Sequence, residues 1–212
     1  MKKVLCLVMA LLLCLTTLPA MAELSLNPDQ WTKPFDYTVK DYCDMMDMLA
    51  SQMLSIKGEW HESDAPKGYR VLTFSGENVS DIVLLADKND RVLAVGTEAD
   101  MNLTDASAIA AKGQAFGVGM AAIAFVCRLV ELDGDTQALV KEVETIQADL
   151  MTFQEVLGDL GSLLSDQEAM SKGAYKDIEA AGHHMNFVLK VSMTDMAMSF
   201  TSVFAPVAAQ PE

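Results

Sequence analysis

Apolar residues return along this chain at two different intervals, and each change of interval marks a change of element. From Phe35 to about Met53 the steps are three and four: Val39, Tyr42, Cys43, Met46, Leu49 and Met53 form one stripe. Asp41, Asp44, Asp47 and Ser51 fall on the other side, which predicts an amphipathic helix. Ile56–Glu62 and Tyr69–Phe74 read as strands separated by the breaker stretch SDAPKG. Asp81–Gly96 reads as a hairpin around Lys88-Asn89, with Leu85 opposite Val92 and Val83 opposite Ala94. Its other face carries Ile82, Leu84, Leu93 and Val95, so this pair belongs in the middle of a sheet covered on both sides.

Helical spacing resumes near Thr104. Ile109, Gly113, Phe116, Met120, Ile123, Cys127 and Val130 recur in alternating steps of four and three. The stretch DGDT interrupts them, with Gly134 suited to end one helix and Asp135 or Thr136 to cap the next. A second stripe follows: Leu139, Val143, Ile146, Leu150, Phe153, Leu157, Leu160 and Leu164. Two matched stripes with a short connection predict an antiparallel helical hairpin, the Gly/Ala-rich helix fitting against the Leu/Phe-rich one. The same coiled-coil spacing also allows a homodimer. Ser165–Glu168 has the form of a capping box for a short helix before Gly173.

From Tyr175 to Phe204 the pattern is strand-like. A two-residue turn at Thr194-Asp195 would set Met193 opposite Met196, Val191 opposite Met198 and Leu189 opposite Phe200. Met185, Phe187 and His183 then share the apolar face, and His184 takes the other. The expected architecture is α+β. A mainly antiparallel sheet, with two β-hairpins plus extra strands, packs with a long helical hairpin and an N-terminal helix.

The first residues change the compartment. Lys2 and Lys3 precede an uncharged apolar run from Val4 to Leu15, and Ala20-Met21-Ala22 is a small-x-small site. Residues 1–22 therefore read as a signal peptide cleaved between Ala22 and Glu23, leaving 23–212 as one exported domain, secreted or at the cell-envelope exterior (periplasmic in a Gram-negative cell). Leu13 stands before Cys14, where a lipoprotein signal needs a small residue. Between Lys112 and Arg128 lie fifteen uncharged residues, short of a span, so this segment reads as a buried central helix and no membrane span is expected after the leader is removed.

The net charge is −15, and the leader removes two lysines and no carboxylate. That field repels nucleic acid and anionic lipid. Beyond the leader stand two cysteines, Cys43 and Cys127, both on core stripes, and export allows a disulfide between them.

His183, His184 and the neighbouring methionines raise soft-metal binding, copper above all. Yet strand alternation parts the two histidines, and Met is a common core filler. His61-Glu62 lacks the second histidine of a zinc-protease helix, and Lys88-Asn89 sits in no EF-hand loop. No Gly-x-Ser-x-Gly elbow occurs, and Gly117-Val118-Gly119 lies within a helix. Neither a catalytic residue nor a cofactor is expected. The favoured reading is an exported, acidic, non-catalytic module that binds an extracellular ligand or protein. The alternatives are a copper-handling protein and an enzyme whose site residues are scattered in sequence.

Overall fold

The computed structural model describes residues 26, 28–65, 68–163, 174–180, 182–192 and 196–207. Among these residues three α-helices and seven strands form an α+β fold. The helices are α1 (Val39–Met48), α2 (Ala106–Glu131) and α3 (Thr136–Leu163). The strands are β1 (Gly58–Ser63), β2 (Arg70–Gly76), β3 (Ile82–Ala86), β4 (Val92–Asn102), β5 (Ala174–Ala180), β6 (His183–Ser192) and β7 (Ala197–Ala205). They make one antiparallel sheet in the order β1-β2-β3-β4-β7-β6-β5.

α1 begins at Val39 rather than Phe35, because residues 35–38 are already hydrogen-bonded as extended chain. Phe35 N donates to Val92 O at 2.7 Å, Val92 N donates to Tyr37 O at 3.3 Å, and Thr38 bridges to Arg91. Thr38 and Asp41 then close a reciprocal capping box that satisfies the first turn. Past Met48 the helix widens into a π turn, Leu49–Leu54, and Ser55 ends it in a left-handed conformation (φ 54°).

The β3–β4 hairpin departs from the expected register. Leu85 lies opposite Ala94 and Val83 opposite Gly96, not Val92 and Ala94. The cause is a longer turn: the Asp87 carboxylate accepts from Asn89 N (2.8 Å) and Arg91 N (3.0 Å), and Asp90 takes a left-handed φ of 65°. The register slips at Ala86, which pairs with Val92. That irregularity turns Val92 to the helix side with Leu84 and Val95, and Leu93 to the opposite side with Val83 and Leu85. All five residues of β3 are buried, as a strand covered on both faces requires.

The larger core lies between the sheet and the helices, built from Tyr42, Met46, Phe74, Ile82, Leu84, Phe116, Ile123, Leu129, Met185 and Phe204 among others. On the opposite face Leu26 and Trp31, from the lead-in, cap a smaller cluster of Val83, Leu85, Leu93, Ala94, Val203 and Ala205. α2 is long and apolar enough to cross a bilayer; here its Phe116, Met120, Ile123 and Cys127 sit in the larger core. Its close approach is to the sheet, not only to α3. A Cβ on Gly119 would lie 2.8 Å from Thr97 Oγ1 of β4. The small residues of α2 were expected to receive α3; Gly119 instead lets α2 settle onto β4.

The α2–α3 turn follows the expected chemistry. Gly134 has φ 79° and donates to Leu129 O (2.9 Å), and the Asp135 carboxylate caps α3 by accepting from Gln137 N and Ala138 N. Leu139 and Ile146 enter the core beside Val130, so the two stripes do meet at this end. The side chains of Leu150, Phe153, Leu157 and Leu160 lie outside the described residues, as do Leu164, the Ser165–Glu168 capping box and Gly173. In the β6–β7 hairpin Leu189 lies opposite Phe200 and Val191 opposite Met198, as alternation predicts. Met193 and the Thr194-Asp195 turn fall outside the described residues.

Candidate functional site

The adjacent histidines part as a strand requires. His183 turns toward the helices and is 8% exposed. Its Nε2 lies 3.0 Å from Glu131 Oε1 at the end of α2, and Phe35 meets its ring edge-on at 5.1 Å. Arg128 stands beside them, donating to Glu131 Oε2 (2.9 Å) and to Glu142 Oε1 of α3 (3.0 Å). Burial pushes the Glu131 carboxyl up, but His183 and Arg128 outweigh it and hold the group below its ordinary value. This cluster ties together the end of α2, the start of β6, the first turns of α3 and the Phe35 lead-in.

His184 points to the opposite face of the sheet, where its Nδ1 lies 2.8 Å from Asp177 Oδ2 on β5. His61 stands on β1 with Nε2 3.5 Å from Glu59. Each histidine thus meets one carboxylate, on three separate parts of the fold. Among the described residues no group of three or more His, Cys, Asp and Glu side chains converges as a metal site. Met185 shares His183's face and is fully buried in the larger core, in the packing role its spacing suggests.

Cys43 and Cys127 are free thiols, so the disulfide expected from their stripes is not formed in the structure. Both stripes were read correctly as core-facing, but the thiols have separate surroundings. Cys127 is enclosed beside the Tyr37 phenol, whereas Cys43 is half-buried near Asp47 and Asp44. Burial pushes each thiol up to about 12, and the two carboxylates add to the effect on Cys43. Neither holds a thiolate at neutral pH, so neither is an activated nucleophile. Burial likewise drives the phenols of Tyr37 and Tyr42 well above their ordinary value.

A different feature stands open at the surface. Among the described residues β1 ends the sheet, and five of its six residues are exposed. Trp60 is the half-buried one. It packs between Tyr42 and Phe74, with ring centroids 6.4 and 5.4 Å away, and its Nε1 donates to Asp47 Oδ1 of α1 at 3.0 Å. Phe74 also lies over Gly58, where any Cβ would come within 2.4 Å of the ring. With Trp60 facing the helices, alternation sends Glu59 and His61 to the opposite side.

Glu62 is held by Arg70, which donates to it at 2.8 and 3.1 Å and also pairs with Asp90. Lys57, Gly58, Glu59, Ser75, Gly76 and Glu77 line a shallow open depression at one end of the strand. Periodicity predicted a strand here but not that it ends the sheet. The signal that could have shown it is the sequence GEWHES, which is polar on both alternating faces apart from Trp60.

No family model matches the chain, nor does any curated protein or solved structure.

Proposed function

We propose that the chain is an exported, acidic, non-catalytic interaction module that meets its partner along β1, one of the two end strands of the sheet among the described residues. The observation that supports this is β1: an exposed strand anchored by Trp60 and Phe74 to a buried core, with a row of backbone donors and acceptors turned outward. A rigid scaffold presenting an open edge is suited to binding by main-chain hydrogen bonds. The acidity, with a net charge of −15, repels nucleic acid and anionic membranes and favours a basic partner. Export rests on the leader described above, and the domain would work outside the cytoplasm as residues 23–212.

Two measurements test this. N-terminal sequencing of the exported product should begin at Glu23; an intact Met1 in a cytoplasmic product rejects the export arm. A photo-crosslinking amino acid at His61 in exporting cells should give a discrete adduct. The same group at Val140, which is 64% exposed on α3, should give none. Equal labelling from both positions, or adducts at Val140 alone, would move the interaction away from β1.

A further inference from the structure

We infer that the occupant of the β1 edge is an extended basic segment of another protein, adding as an eighth strand. This rests on the edge reading above and names the partner's chemistry. The backbone of β1 is committed to β2 on one side, from Gly58 paired with Gly76 to Ser63 paired with Val71. Its other side forms one end of the sheet among the described residues. An added strand would place alternate side chains beside each face of β1.

The charges there are mostly negative. Glu59 has a side chain 78% exposed and faces away from the helices, with His61 at 3.5 Å as its neighbour. On the helix side Asp47 reaches Trp60, and Glu62 is bound by Arg70. Asp64 and Glu77 flank the strand, against Lys57 at its start. Lysine or arginine at alternate positions of the incoming strand would line one face and meet Glu59 there, leaving the residues between them to lie beside Trp60 on the helix face.

A second copy of this chain suits the edge poorly. In a two-fold antiparallel pairing both copies present the same face, so the two Glu59 side chains share one face and the two Glu62 side chains the other, which gathers like charge on each. Two bodies of net charge −15 also repel before contact. The same carboxylates that disfavour self-pairing favour a cationic strand, and this asymmetry selects the occupant.

The test uses the mature protein and a blocked hexapeptide alternating lysine and valine. Two control peptides are a glutamate–valine hexapeptide and the lysine peptide N-methylated at alternate amides. The lysine peptide should slow hydrogen exchange across residues 58–63, bind more weakly at high salt, and lose binding on N-methylation. Glu59→Lys, at a fully solvated position, should weaken it roughly three- to tenfold. Binding that survives N-methylation would mean charge attraction without strand addition, and overturns the inference. So does equal binding of the glutamate peptide, or a homodimer that the lysine peptide displaces from the same residues. An adduct at His61 in cells together with no lysine-peptide binding would keep the edge as the interaction site and reject only the basic extended partner.

Discussion

Replacing Gly119 with alanine probes how closely α2 is seated on the sheet. In an unconstrained helix the change would stabilise by up to about 1 kcal/mol, because glycine is a poor helix former. Here the new methyl would lie 2.8 Å from Thr97 Oγ1 and 3.5 Å from Thr97 Cβ and Cγ2. Thr97 is fully buried, and a β-branched side chain has few rotamers to escape into. Overpacking of this kind costs about 1–3 kcal/mol. Set against the propensity gain, Gly119→Ala should destabilise by roughly 1–2 kcal/mol, a fall of several degrees in Tm for a domain of this size.

Thr97→Ala removes the opposing Oγ1 and Cγ2, the hydroxyl having no hydrogen-bond partner among the described residues. The double variant should therefore recover much of the loss, giving a favourable coupling of about 1 kcal/mol in a double-mutant cycle measured by urea unfolding. If Gly119→Ala raises stability by the propensity amount and adds independently to Thr97→Ala, α2 does not rest on β4 as described.

Three further outcomes are expected. Ile146→Ala, at a side chain 2% exposed between α3 and the core, should cost about 2–5 kcal/mol with no change in oligomeric state; a variant that is equally stable but dissociates a dimer would make the stripe an oligomer seam. Because Glu131 is held below its ordinary value in the fold, its contribution is present above the unfolded carboxyl pKa and is lost as pH falls through the folded one. Glu131→Gln should therefore flatten the loss of stability below about pH 5, and parallel acid limbs would remove the basis for the His183–Glu131–Arg128 cluster. Both thiols should react slowly with an alkylating agent in the native protein and fully in denaturant without reductant, since burial pushes each to about 12. Protection of both in denaturant would show that the isolated protein carries the bond.

Helices were legible because their stripes are long: Met120, Ile123, Cys127 and Val130 recur at core spacing and are buried. The β6–β7 register was legible because an apolar set alternates on both arms, and a slip would expose Phe187 and Leu189. Register failed in β3–β4 for the opposite reason. Both faces there are apolar, so alternation carries no penalty for a slip, and the Asp87-centred turn decided the pairing. For the two cysteines a core stripe fixes a direction of burial but not the distance between two helices. The carboxylate partner of His183 is a tertiary fact: Glu131 reaches it from α2, a separation no spacing rule encodes.

The order β1-β2-β3-β4-β7-β6-β5 also bears on the time course of folding. β1–β4 and β5–β7 are two local meanders, each of which can zip from its own turns. One seam joins them, β4 against β7, pairing Val95 with Phe204 through Asn102 with Ala197. The Ser199 hydroxyl donates to Glu98 across the same seam, over a sequence separation of 101 residues. Closing so long a loop is entropically slow compared with hairpin formation. A chain released N-terminus first therefore holds the Val95–Asn102 edge of β4 bare until β7 arrives. Through that interval the Val95–Asn102 stretch is exposed to mispairing, and a carrier that shields nascent chains would have its greatest effect there.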